Sequence, residues 1–459
     1  MTFTSNIFLI GILPWYIALS ILLSRHEKAR VALLLLANSI FYVWGGVGAF
    51  AFICVFSLLV WIFSLAISMK KSSVLLFVGI AVTVAPLIFV KYTAFIIGNI
   101  NTACHLSISS PEIIVPAGIS FYTFEAVSLL CDVYKARITE NISLLKVYLY
   151  LTFFPAVTSG PIIRFSNFAE GLALRDVVID YNAAIERVII GLCKKVLVAD
   201  KIAVLADYYF SAAAAGASCS VPGLWAGSIA YSLQLYFDFS GYSDMAIGIG
   251  QLLGFTMPEN FDKPYQASGI SDFWRRWHIS LSQWFRDYIY IPLGGSRCSI
   301  PRHIFNLLVV WLLTGIWHGA DWSFVIWGLG YFVLLTVEKY IPTVKKLSGT
   351  WAGRVYTLFF VNLLWIPFRA ADLRTANAYI LGMFGMGIGG GKIEEIAVQL
   401  LPYLFAAGIL CAPVEKLFFR LKEKKWLTAA RGAAILVLGI WAICAVVNSA
   451  YTPYIYGKF

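Results

Sequence analysis

Residues 49–68 run without a single charged side chain, and residues 73–90 do so again. A helix needs about 20 apolar residues to cross the hydrocarbon of a bilayer, where each peptide group must find its hydrogen bond within the same element. Runs of this kind restrict the chain to helices bundled inside a membrane. Composition agrees, since of 459 residues 60% are hydrophobic and 13% charged, too few charges to clothe a water-facing surface.

The first apolar run, residues 7–23, is preceded by Met-Thr-Phe-Thr-Ser-Asn and followed by Ser24-Arg-His-Glu-Lys-Ala-Arg30. A cleaved signal peptide carries its positive charge in front. Here the charge lies behind, so the segment is expected to stay, with the N-terminus outside and the loop from Arg25 to Arg30 in the cytoplasm. Runs 31–44 and 49–68 follow, and Lys70-Lys71 returns to the cytoplasmic side as alternation requires. Further runs cover residues 73–90, 93–100, 113–130, 144–157, 188–199, 224–255, 304–317, 323–337, 355–368, 376–385, 396–411 and 432–447. Several are too short to span alone and read as re-entrant or interfacial helices. The expectation is an all-α polytopic protein with roughly ten to twelve crossings. No run resembles a linker or a soluble domain, so residues 1–459 read as one membrane-embedded domain, with 382–391 as a glycine-rich loop.

The net charge of +11 arises from short basic groups between apolar runs, which is the positive-inside pattern and not the continuous stripe that nucleic acid requires. The eight cysteines are scattered without zinc-type or redox-type spacing, and read as buried thiols.

In such a chain the informative residues are polar ones set between apolar runs. Gln234, Asp238 and Asp244 interrupt one stretch. The two aspartates read either as structural carboxylates bonded to helix ends or Arg partners, or as lining for a polar path. A second stretch runs from Asp272 to Leu293. Phe273, Trp277, Leu281, Trp284 and Tyr288 recur at helical spacing in it, beside a polar stripe of Ser271, Arg275, His278 and Ser282. It reads as one amphipathic helix, either interfacial or part of a site. The third is Thr314-Gly-Ile-Trp-His-Gly-Ala-Asp321, where Gly315 and Gly319 bracket Trp317 and His318 and allow another backbone or a ligand to come close. A neutral imidazole in a dry pocket is a competent general base.

Together with Val115-Pro-Ala-Gly-Ile-Ser-Phe-Tyr-Thr-Phe, Phe153-Phe-Pro, Ser159-Gly-Pro-Ile, Tyr236-Phe-Asp-Phe-Ser-Gly-Tyr-Ser-Asp-Met-Ala, Phe273-Trp-Arg-Arg-Trp-His and Trp317-His-Gly, the sequence resembles the membrane-bound O-acyltransferase family. The likeness is to its bacterial branch, most closely over residues 115–337. That branch contains both polysaccharide O-acetylating and teichoic-acid D-alanylating members. The resemblance implies a ring of transmembrane helices around a thinned centre, crossed by a tunnel. It also implies two functional histidines, His278 and His318, with His318 the essential one. Arg275, Arg276, Ser282, Trp277, Trp317, Asp238, Asp244 and Asp321 become candidates for the substrate and donor path. Arg275, His278 and Ser282 would line a cytoplasmic mouth for an anionic donor.

No bound cofactor or metal is implied. The co-substrate would be an acyl thioester, acetyl-CoA or an acyl-carrier protein. The surroundings would be membrane lipid in a bacterial inner membrane, and the partners an extracytoplasmic acyltransferase protein and a polysaccharide acceptor. The run Pro155-Ala-Val-Thr-Ser-Gly-Pro161 is closer to the D-alanylating members, while Tyr290-Ile-Pro-Leu-Gly-Gly-Ser-Arg297 has the acetylating form. No nucleophile with an adjacent base can be read from the sequence, so direct transfer assisted by a base is expected. A transporter without chemistry explains the spans but not the joint presence of the two histidine motifs. A purely structural scaffold explains still less.

Overall fold

The computed structural model describes residues 5–23, 26–138, 142–173, 179–412 and 425–448. Ser24 and Arg25, at the start of the first basic loop, lie outside these. Every extended element among the described residues is helical, and the β-type pairings are two isolated bridges, Cys219 with Gly389 and Phe261 with Trp277. The chain forms two compact units, one built from residues up to Val188 together with Ser243–Glu259, the other from Ile189–Tyr242 together with the residues from Asn260 onward.

Helices α1 (Leu13–Leu22), α2 (Glu27–Trp44), α3 (Val47–Lys70), α4 (Ser73–Cys104), α5 (Ile119–Tyr134), α6 (Leu144–Leu151) and α7 (Phe165–Ala173) belong to the first unit. The separate runs at 73–90 and 93–100 prove to be one helix, α4, which passes through Pro86 and Lys91 without a break. A proline removes one backbone hydrogen bond and neighbouring groups can absorb that loss inside a bundle. The run at 144–157 stops being helical after Leu151, where Phe153-Phe-Pro turns the chain. Gly118, in the Val-Pro-Ala-Gly motif, has φ 78° and lies where a Cβ would stand 2.4 Å from the Val157 carbonyl oxygen. Only glycine meets both demands.

Helix α8 (Tyr181–Cys193) leads through a π-helical turn, Lys194–Ala199, into α9 (Asp200–Ala214), and α10 (Val221–Leu252) follows. The second unit continues with two short helices, α11 (Ile270–Arg276) and α12 (Ile279–Phe285), and a second π-turn, Arg286–Tyr290. Helices α13 (Ile300–His318) and α14 (Trp322–Tyr340) then form a hairpin. Pro301 opens α13, and Asp321 caps α14 by accepting the Ser323 amide at 2.8 Å, so Gly319 and Ala320 are left as the turn. After the short α15 (Pro342–Lys345) come α16 (Trp351–Arg369) and α17 (Leu373–Met383). The last are α18 (Glu395–Leu410) and α19 (Lys425–Asn448). The glycine-rich stretch 382–391 is pinned by the bond from the Cys219 amide to the Ile388 carbonyl.

Among the described residues four stretches are helical, long and apolar enough to cross a membrane: Val47–Lys70, Ser73–Cys104, Ile300–His318 and Ala429–Asn448.

Candidate functional site

The amphipathic helix expected from Asp272 to Leu293 is broken. His278 adopts φ 44° and ψ 55°, left-handed values that end α11 and start α12. Such values are uncommon for a residue with a Cβ and persist only when surroundings enforce them. Two groups do so here. Upstream, the buried Glu338 carboxylate of α14 accepts the amides of Ile270 and Ser271, the latter at 3.0 Å, and so caps α11 from another helix. At the break, Asn260 Oδ1 accepts from His278 Nδ1 at 3.0 Å, Ser280 Oγ at 2.9 Å and the Ser280 amide at 3.3 Å. A backbone amide can only donate, so the atom it faces must be the carboxamide oxygen. His278 therefore carries its proton on Nδ1 and keeps the Nε2 lone pair as its acceptor.

The break also divides the expected polar stripe. His278 is 1% exposed and turns into the core, where Phe239 meets it edge-on at 4.7 Å. Arg275 and Ser282 instead line a cleft of about 440 Å³ with Arg286, Tyr290, Leu307 and Thr314. Arg275 reaches toward Asp272 at 3.5 Å with 73% of its side chain exposed. Arg276 is turned to Asp272 at 3.1 Å and Asp262 at 3.4 Å. Trp277 is buried against Phe273 and Trp365, with centroids 5.5 and 5.1 Å away.

His318 ends α13 and is 2% exposed. Its ring lies edge-on to Trp327 at 4.9 Å and Phe368 at 5.0 Å, and beside Trp317 at 4.6 Å. Trp317 in turn lies 6.3 Å from the His278 ring, so one indole is shared by both imidazoles. Gly315 and Gly319 admit protein here. A Cβ on Gly315 would stand 2.5 Å from the Phe324 carbonyl oxygen, and one on Gly319 would stand 2.1 Å from the Phe324 ring. On α13, Leu307, Trp311 and Thr314 line the cleft. The same helical stripe reaches His318 one turn beyond Thr314, about 6 Å along the axis.

The remaining candidates are engaged elsewhere. Asp238 pairs with Lys195 Nζ at 2.7 Å, and the same ammonium holds Asp200 at 2.7 Å, with Lys195 and Asp238 both buried. Asp244, in the first unit, accepts from Arg187 at 3.1 Å, and Arg187 also binds Glu259. Asp321 serves as the cap of α14. Sequence reasoning passed over Asn260, Lys195 and Glu338, each of which anchors an element of the site or of α10. Among the described residues no cluster of three or more His, Cys, Asp or Glu side chains could hold a metal.

Two buried imidazoles, reached by one face of a helix that borders a cleft with cationic residues, offer a proton acceptor suited to a hydroxyl. Comparison with known proteins shows the family. Residues 42–368 match the model of the membrane-bound O-acyltransferase family. Similar proteins include the probable alginate O-acetylase of Pseudomonas putida, 32% identical over 100% of both chains. The peptidoglycan O-acetyltransferase of Helicobacter pylori is 37% identical over 71% of this chain and 68% of its own. The teichoic acid D-alanyltransferase of Bacillus subtilis is 31% identical over 50% of this chain and 60% of its own.

Proposed function

This chain belongs to the membrane-bound O-acyltransferase family, and from that premise we propose that it moves an acetyl group from a cytoplasmic thioester to a hydroxyl of an extracytoplasmic polysaccharide. The observation that carries the reading is the pairing of His318 and His278 across Trp317. In the proposed step His318 takes the proton of the acceptor hydroxyl as its oxygen attacks the thioester carbonyl. The tetrahedral oxyanion collapses, the new ester forms, the carbon–sulfur bond breaks, and the thiolate leaves with the proton returned by His318. Base assistance of this kind contributes about a hundred- to ten-thousand-fold in rate. His278, oriented by Asn260, also lies against the shared indole and helps hold the reacting groups in line.

The cleft beside Arg275, Ser282 and Arg286 is the proposed donor entrance, since guanidinium groups suit the phosphates of acetyl-CoA or of a carrier-protein prosthetic arm. Acetyl is favoured over D-alanyl because the relative named for alginate acetylation matches the chain end to end, whereas the one named for teichoic acid matches half of it. The wider arrangement proposed with it is a single functional membrane domain in the inner membrane, with its N-terminus outside. Shorter helices join the four long ones to make ten to twelve crossings around a tunnel, and an extracytoplasmic partner protein receives or passes on the acyl group.

The test is His318→Ala in cells that make the full chain, with membrane insertion checked by protease accessibility. Loss of at least a hundredfold in polymer-bound acetyl ester is expected, and undiminished ester in correctly inserted protein refutes the role of His318.

A further inference from the structure

The stretch Tyr290-Ile-Pro-Leu-Gly-Gly-Ser-Arg297 folds back on the first turns of α13 and is stitched to it residue by residue. Arg302 Nε and Nη2 donate to the Leu293 carbonyl at 3.1 and 3.0 Å, and Asn306 Nδ2 donates to the Gly295 carbonyl at 3.0 Å. Between them stands His303, 5% exposed, which neither the sequence motifs nor the proposed chemistry uses. Its Nε2 lies 2.7 Å from the Tyr290 hydroxyl and its Nδ1 lies 2.6 Å from the Tyr340 hydroxyl. A neutral imidazole offers one donor and one acceptor, and a phenol can serve as either, so both bonds form in either tautomer. The result is a closed brace across three elements: the π-turn after α12, the start of α13, and the last residue of α14.

Tyr290 is also a wall of the cleft that holds Arg275 and Arg286. With its hydroxyl tied to His303, its ring cannot swing away from that wall. His303, Leu307, Trp311, Thr314 and His318 follow one another along a single face of α13. The brace and the proposed base therefore stand at opposite ends of the same stripe, about 22 Å apart at 1.5 Å per residue.

We propose that His303 is a positioning residue for the acyl donor: by fixing Tyr290 between α13 and α14 it sets how tightly the cleft grips the thioester, and leaves the rate of acyl transfer to the other end of the helix. The proposal rests on the assignment of this cleft as the donor entrance. A preformed wall spares a ligand the cost of ordering it, so loosening the wall weakens binding more than turnover.

The experiment uses inverted membrane vesicles from cells that make the full chain. Radiolabelled acetyl-CoA is added at the exposed cytoplasmic face, and label incorporated into endogenous polymer is followed against donor concentration. His303→Leu, which removes both bonds, is expected to raise KM for acetyl-CoA roughly tenfold with kcat within about twofold. His303→Gln keeps one donor and one acceptor and is expected to restore KM to within about threefold of wild type. Tyr340→Phe, which removes one bond at a residue outside the cleft, should raise KM about threefold and carries the test should His303→Leu fail to insert. Arg286→Glu tests the cleft itself and should raise KM independently of the brace. Unchanged KM in His303→Leu or Tyr340→Phe beside an impaired Arg286→Glu overturns the role of His303. Unchanged KM in Arg286→Glu overturns the donor cleft and the proposal with it. A fall in kcat at constant KM in His303→Leu assigns His303 to the chemical step and overturns positioning of the donor.

Discussion

Replacing Gly315 with Ala adds one methyl group to α13, three residues before His318. The added carbon would stand 2.5 Å from the Phe324 carbonyl oxygen and 3.4 Å from Gly328 Cα. Both are backbone atoms of α14 and cannot rotate out of the way, so α14 has to retreat by roughly 1 Å to reach ordinary van der Waals contact. That helix carries Trp327, which meets the His318 ring at 4.9 Å, so the retreat is felt at the imidazole. Overpacking of this kind costs about 1–3 kcal/mol in stability. A displacement of about 1 Å in the groups that position a reaction can cost on the order of a hundredfold in rate. The expectation for Gly315→Ala is therefore normal abundance in the membrane, a lowered midpoint of thermal unfolding in detergent, and a ten- to hundredfold fall in acyl incorporation at saturating donor. Gly98→Ala is the matched control, because a Cβ there meets nothing within 4 Å. A Gly315→Ala protein that transfers acyl groups at the control's rate would show that the close approach of α13 and α14 has no bearing on the histidine.

Lys195→Met puts an apolar chain one atom shorter in place of the ammonium that holds buried Asp238 and partly exposed Asp200, which should destabilise the fold by about 3–5 kcal/mol, while Lys195→Met combined with Asp238→Asn should recover much of that loss. Thermal unfolding of the wild type and the two purified variants decides it, and a double variant no better than the single one refutes the pairing as the cause. Asn260→Ala strands the His278 Nδ1 proton and the Ser280 donors and should cost about 1–3 kcal/mol with a matching loss of activity. Asn260→Asp retains an acceptor and should keep more of both. Equal damage from the two substitutions would mean that the acceptor oxygen does not orient the imidazole.

The membrane class and the two histidine motifs were legible because hydrocarbon tolerates few polar groups, so those present stand out against residues 49–68 or 304–317. The break at His278 was hidden for the opposite reason. Phe273, Trp277, Leu281, Trp284 and Tyr288 keep helical spacing straight through it, since both halves bury the same side. Nothing in that pattern marks a left-handed residue with a Cβ. The anchors were hidden by their neighbours: Lys195 falls inside the apolar run 188–199, and Glu338 comes directly after the run 323–337. Asn260 lies in a short Pro-Glu-Asn-Phe stretch whose one signal is a carboxamide with no turn to serve. Their partners lie far along the chain, Glu338 being 68 residues from Ile270. Periodicity, which compares residues a few positions apart, does not register such pairs.

These anchors also explain how a site can be held to fractions of an ångström where the solvent supplies little drive to bring helices together. In lipid, association rests on close backbone contact and on polar bonds. Gly315 and Gly328 supply the contact between α13 and α14, with the Cβ position of Gly328 only 3.1 Å from Gly315 Cα. Polar bonds fix the rest: Glu338 sets where α11 begins, Asn260 sets how it breaks, and Lys195 holds Asp238, next to the Phe239 ring that faces His278. Each is a buried polar group that would be costly if left unpaired, so each tolerates only one register of its element. Polar groups that lipid would otherwise exclude thus serve two purposes in the second unit. In the proposed reading the imidazoles move a proton, while carboxylates, an amide and an ammonium specify where those imidazoles stand.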